Sequence, residues 1–178
     1  MQEKKPTSEL VLVIDMQNDF IDGVLGSPAC QAVVPRQVDF LKNVKCPIWF
    51  TLDTHPEDYA SDPENVHLPV PHCIAGTRGH ELVEAMKPFA AKPDSVLIEK
   101  PTFGSTRLER MVSTMPALEK ITIFGVDTDI CVVSNALLVK AARPDIQIIV
   151  KQELCAGSSP ENHEAALRVM RSCHCDIE

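Results

Sequence analysis

No run of about 20 apolar residues, the length a bilayer-spanning helix needs, occurs in this sequence, and the opening MQEKKPTSE has no apolar stretch ahead of a cleavage site. Both absences argue against a membrane or exported protein and make the cytoplasm the expected location. No cluster of Lys and Arg appears and the formal net charge is −8, so the basic footprint of a binder of nucleic acid or anionic membrane is missing. A small molecule is the expected partner. Regularly spaced, even-numbered cysteines are also lacking: the seven present are scattered, which argues against a disulfide framework and predicts reduced thiols. Glycine is scarce at 7 of 178 residues, no repeat or low-complexity segment stands out, and 44% of the chain is hydrophobic. One sizeable core and a single domain over 1–178 are expected.

What is present is an alternation of short β-branched apolar runs with helical patterns. Strands are predicted at 10–15, 47–52, 95–99, 121–126 and 146–151. Apolar residues at three- and four-residue spacing predict helices over 31–44, 79–90, 105–115 and 131–143, and Ser159-Pro160-Glu161 opens a last one through an N-cap. This order is that of a doubly wound α/β fold with a mainly parallel sheet covered on both faces. In such sheets ligands bind beyond the carboxyl ends of the strands. There the sequence concentrates its reactive groups: LVLVID delivers Asp15, SVLIEK delivers Lys100, and ITIFGV runs into the segment holding Cys131. A thiol at the start of a helix faces backbone N–H groups and the positive end of the dipole, so a lowered pKa is expected for Cys131. Asp53 and His55 follow the second strand on the same side of an extended segment. With His72 they can form a facial set of three metal ligands that leaves positions open.

Singly, each residue has an ordinary role: an aspartate caps helices, a lysine is solvated, a cysteine fills core. Taken in order, however, VLVIDMQNDF, FTLDTH, PHCIAGTRG, EKPTFGST and GVDTDICV resemble the isochorismatase-like cysteine hydrolases over nearly the whole chain, with nicotinamidases the best match. The resemblance implies a three-layer α/β/α sandwich, a catalytic triad of Asp15, Lys100 and Cys131, and a divalent metal on Asp53, His55 and His72, with zinc expected ahead of iron or manganese. In some relatives a further ligand comes from the intervening loop; Glu64 is favoured here over His67. An oxyanion would be held by backbone N–H groups around Asp127 and Cys131, and the Val126–Asp127 peptide would be cis. Phe20 and Phe103 are placed to wall a substrate ring, with core packing as their other role. The implied activity is deamidation of nicotinamide, in NAD salvage, through a thioester on Cys131. Dimers or tetramers are common among such proteins.

Two departures from the nicotinamidase pattern bear on substrate. Pro69 stands where an aromatic wall is usual, and Asp127 stands where a small residue is usual. Another small amide or a ureido substrate is therefore the alternative within the family, and a non-catalytic metal- or redox-sensing domain the alternative outside it. Cys173-His174-Cys175 has no second pair at zinc-binding spacing and reads as a tail with incidental thiols. Cys30, Cys46, Cys73 and Cys155 read as core or near-surface thiols.

Overall fold

The computed structural model of the chain describes residues 7–178; the opening MQEKKP, part of the segment read above as leaderless, lies outside the described residues. Six strands form one sheet: β1 Glu9–Ile14, β2 Ile48–Asp53, β3 Val96–Lys100, β4 Lys120–Val126, β5 Gln147–Ala156 and β6 Asp176–Ile177. Their order is β3-β2-β1-β4-β5-β6 and every pairing is parallel. The helices are α1 Asn18–Ile21, α2 Pro28–Leu41, α3 Lys87–Ala90, α4 Thr106–Ser113, α5 Val133–Ala142 and α6 Pro160–Ser172. All six residues of β2 and five of the six in β1 are buried, as strands covered on both faces must be. The architecture is the expected layered α/β sandwich. Among the described residues no helix is long and apolar enough to cross a membrane.

The longer helices start where the sequence supplies a cap. Ser27, Ser105 and Ser159 each accept a backbone N–H from the first turn of α2, α4 and α6 respectively, and Pro28 and Pro160 occupy first-turn positions where no donor is needed. The topology reverses between β1 and β4, which opens a crevice at their carboxyl ends. There the strands approach closely. Gly125 adopts φ +139°, and a Cβ on it would overlap the Ile14 carbonyl oxygen, so only glycine fits.

Two expectations are corrected. The helix predicted over 79–90 exists only as α3; Gly79–Met86 is a series of turns. Its backbone is committed elsewhere: Asn18 N–H donates to Glu81, Asp19 N–H to Gly79, and Val83 N–H to Met16. Long-range pairing with the segment after β1 thus overrides a helical periodicity. The C-terminal tail is likewise not incidental, because Cys175 is buried and the next two residues add β6 to β5. All seven cysteines are free; Cys30, Cys73 and Cys155 are buried and Cys46 half-buried.

Candidate active site

Three strand ends and one turn deliver the reactive side chains to the crevice. β1 ends at Asp15, whose backbone turns through φ +49°, a left-handed conformation that aspartate tolerates better than most residues. Lys100 closes β3, Asp53 closes β2, and Cys131 sits in a π-helical turn, Thr128–Val132, between β4 and α5. The structure brings the predicted triad together. Lys100 Nζ lies 2.7 Å from Asp15 Oδ2, 2.9 Å from Asp53 Oδ1 and 3.5 Å from Cys131 Sγ. All four side chains are buried, none more than 3% exposed. One ammonium thus offsets two carboxylates where water cannot help.

Burial is the largest influence on each group. It pushes the Asp15 carboxyl up despite the Lys100 charge. Burial alone would lower Lys100, but Asp15 first, then Cys131 and Asp53, hold its ammonium well above the ordinary lysine range. The expected lowering of Cys131 is overturned. Burial, reinforced by Asp15, raises the thiol well above its ordinary value, and Lys100 only partly opposes this. Desolvation outweighs the helix dipole here, so the resting group is the thiol. Asp15 is equipped to receive its proton. Thr51 Oγ1 donates to Oδ1 at 2.6 Å, while Oδ2 accepts no directed hydrogen bond, its Lys100 ion pair apart.

Asp53 faces two ways. Its Oδ1 meets Lys100, and its Oδ2 lies 3.1 Å from His55 Nε2 and 3.5 Å from His72 Nε2. One donor atom from each of Asp53, His55 and His72 lies within 4.8 Å of the others. His72 arrives because the chain pairs beside His55: His55 N–H donates to Cys73, and Ala75 N–H donates to His55. The far ring nitrogens are both occupied. His55 Nδ1 is 2.9 Å from Asp62 Oδ2 and His72 Nδ1 is 2.9 Å from the Val70 carbonyl. Both partners only accept, so Nδ1 carries a hydrogen and Nε2 is the nitrogen left facing Asp53 and Glu64, free to ligate a metal once it gives up its own proton. Imidazole ligands of divalent metals are oriented in this way. Two imidazoles and a carboxylate also form a donor set suited to zinc and several neighbours in the first transition row. The residues present therefore fit a divalent ion.

Glu64 faces the same point, 3.8 Å from His55 Nε2 and 3.7 Å from His72 Nε2. It is set there by Asp62, whose Oδ1 accepts the Glu64 N–H in a capped 3₁₀ turn, Pro63–Val66. His67 is exposed and is not part of the cavity lining.

A cavity of about 280 Å³ opens over both halves, lined by Phe20, Leu68, His72, Phe103, Asp127 and Cys131 among others. Phe20 is buried edge-on to His72 with ring centroids 5.7 Å apart, whereas Phe103 is 42% exposed at the mouth. Pro69 is exposed and outside the lining, and its neighbour Leu68 supplies apolar surface instead. The Val126–Asp127 peptide is cis. A larger hollow of about 1330 Å³ at the opposite ends of the strands touches none of these residues.

Three supporting residues went unread in the sequence: Thr51, Asp62 and Gln17. Gln17 is fully buried; its Oε1 accepts the Asp53 N–H at 2.7 Å and its Nε2 donates to the Asp53 and His80 carbonyls at 2.8 Å. Asp62 alone left a local signal, the cap-like Asp-Pro-Glu.

The profile of the Isochorismatase domain matches residues 9–177. Among solved structures, the chain is similar to a pyrazinamidase of Pyrococcus horikoshii in complex with zinc, at 26% identity and a TM-score of 0.79 over 97% of this chain and 99% of that one. A nicotinamidase/pyrazinamidase from Bacillus subtilis is 28% identical, with a TM-score of 0.78 over 96% of this chain and 99% of that one. The fold is shared also by N-carbamoylsarcosine amidase from Thermoplasma acidophilum, at 22% identity and a TM-score of 0.74 over 97% and 96% of the two chains. No curated protein matches the chain by sequence. The profile spans all six strands and every side chain of the crevice, and the chain belongs to the isochorismatase family.

Proposed function

We propose that this chain hydrolyses a small carboxamide, nicotinamide first among them, to the acid and ammonia through a thioester on Cys131. The observation that carries the reading is the single ammonium of Lys100 set among Asp15, Asp53 and Cys131. Cys131 passes its proton to Asp15 as Sγ attacks the carboxamide carbon; the raised proton affinity of Asp15 suits it as the acceptor, and the raised affinity of the thiol requires that the transfer accompany the attack rather than precede it. Lys100 stabilises the sulfur as it gains charge. Backbone N–H groups around Asp127 and Cys131 hold the tetrahedral oxyanion. Asp15 then protonates the departing nitrogen, ammonia leaves, and the same carboxylate activates the water that opens the thioester. Phe20, Leu68 and Phe103 exclude solvent from the ring. Asp53, His55 and His72, with Glu64 facing them, would hold a divalent metal, zinc first, which would supply a Lewis-acid site for binding and orienting the substrate. The substrate is a small molecule and the reaction needs no further macromolecule.

Ammonia release from nicotinamide by the metal-loaded protein is the direct test. Release is expected. If none is seen while other small amides are hydrolysed, the substrate assignment is wrong and the chemistry stands; if no amide is hydrolysed, the reading fails. A second expectation concerns the metal. Asp62→Asn leaves every proposed ligand in place but weakens the partner of His55 Nδ1, and zinc affinity measured by chelator competition is expected to fall about 10- to 100-fold. An unchanged affinity would remove His55 from the ligand set.

A further inference from the structure

Asp127 is the one acid of the cavity lining that neither the triad nor the metal set employs. The lining contains no lysine or arginine, its one basic side chain being His72 of the metal set, and among the described residues Asp127 has no ion-pair partner. Its side-chain contact is a weak one, with Cys30 Sγ donating to Oδ1 at 3.6 Å. Neighbouring Asp129 is differently placed. Its oxygens are taken up by the Ser158 N–H at 2.8 Å and the Ser158 hydroxyl at 2.5 Å, so it ties down the loop after β5 rather than facing a ligand. Lys100 offers no compensation either, since its ammonium is committed to Asp15 and Asp53.

A half-buried carboxylate on the wall of a largely apolar cavity is costly unless something donates to it. Burial first, with Asp129 and Asp15 adding to it, pushes Asp127 up to about 6. It is therefore still an ionised acceptor at neutral pH, held at an energetic disadvantage that a donor on a bound molecule would relieve. The chemistry that would do so is a cationic nitrogen, or an N–H group beyond those of the reacting amide. A substrate whose own carboxylate falls beside Asp127 meets the opposite situation, with like charge in a half-buried site and no guanidinium or ammonium there to receive it, the metal set lying among Asp53, His55 and His72 instead.

We propose that Asp127 is a specificity-determining residue that favours small amides carrying a cationic or additional N–H donor group and rejects those carrying a carboxylate, such as N-carbamoyl amino acids. This rests on the reading above that the cavity is the substrate site, and it narrows the substrate class within that reading.

The test uses binding, so that it does not depend on turnover of any one amide. Benzamide, benzamidine and benzoate have nearly the same shape and are respectively neutral, cationic and anionic at pH 7.5. Their affinities are measured by calorimetry on metal-loaded Cys131→Ala protein. Benzamidine is expected to bind about tenfold or more tightly than benzamide, the ratio one charge-assisted hydrogen bond supplies, while benzoate, which the metal also attracts, is expected to gain at least about threefold relative to benzamide when Asp127 is replaced. In Cys131→Ala/Asp127→Asn the benzamidine-to-benzamide ratio is expected to fall to within about threefold, and Asp127→Ser provides the same comparison should the asparagine disturb the turn. A ratio near one in the Asp127-containing protein, a failure of benzamidine to bind, or a preference that survives removal of the carboxylate would each overturn the proposal. Nicotinamide turnover by the unmodified chain is read separately. Its absence would remove the nicotinamide assignment while leaving the charge preference of the cavity to stand or fall on its own ratio.

Discussion

A Cys131→Ala protein is expected to fold and bind metal as the parent does, and to release ammonia from amide substrate at least about 10⁴-fold more slowly. Removing the nucleophile of a covalent mechanism leaves only binding and oxyanion stabilisation, and losses of that size or larger are the rule. Stability should change little, by about 1 kcal/mol, because a small buried side chain is shortened without stranding a charge: Lys100 keeps both of its carboxylates. The same thiol makes a kinetic prediction. Since burial raises Cys131, alkylation by iodoacetamide at pH 7 should label exposed Cys173 well before Cys131, with Cys131 labelling accelerating only as pH rises. Peptide mass spectrometry separates the two sites. Turnover that persists at the parent rate in Cys131→Ala would exclude the thioester route.

Replacing Lys100 with Met should abolish turnover and also destabilise the fold. The methionine fills most of the volume, but Asp15 and Asp53 are left buried and facing each other without a cation. Removing one partner of a buried ion pair costs about 3–5 kcal/mol. The penalty depends on pH, and its sign follows from the direction of the Asp15 shift. Burial already raises that carboxyl above its ordinary value, and losing Lys100 raises it further. At low pH both folded and unfolded chains carry the proton, and the variant is least penalised. As pH rises through the ordinary carboxylate range, the unfolded chain releases its proton first, so stability falls until the elevated folded-state value is passed and is then level. Thermal unfolding from acid to neutral pH should therefore show the gap between parent and variant widening with pH. A gap that is constant or narrows would mean that Lys100 is not the counter-charge of Asp15. Metal bound at Asp53 is expected to recover part of the loss, since Asp53 then has another cation to meet.

The strands and the residues gathered at their ends were legible because both leave local marks. A strand buried on both faces must be apolar throughout, so LVLVI and ITIFGV announce themselves, and the polar residue that follows each run lies at a sheet edge by simple counting. The spacing of Asp53 and His55 similarly places both on one side of an extended segment. Glu64 was legible only through resemblance, and its capped turn explains why it, rather than His67, faces the histidines.

Other features depended on segments that are distant in sequence. Nothing around residue 17 indicates that a glutamine amide will hold both backbone groups of Asp53, because that pairing exists only once β1 and β2 are neighbours. The turns at 79–86 defeat a helical periodicity because hydrogen bonds to the segment 16–19 satisfy the same backbone groups. Thr51 looks like any β-branched strand residue until the sheet aligns its hydroxyl with Asp15.

The charge state of Cys131 is the sharpest contrast. From the sequence alone, a helix start predicts a lowered thiol; in the folded chain full burial beside a carboxylate raises it. By itself, therefore, the sequence determined a parallel layered sheet and which chemical groups meet at its carboxyl edge, because strand burial and side-chain alternation are properties of short segments. Tertiary structure alone decided that Asp53 divides its two oxygens between Lys100 and the histidines, that Cys131 rests as a thiol, and that Asp127 lines the cavity with no lysine or arginine beside it, because distance and desolvation are set by the whole fold.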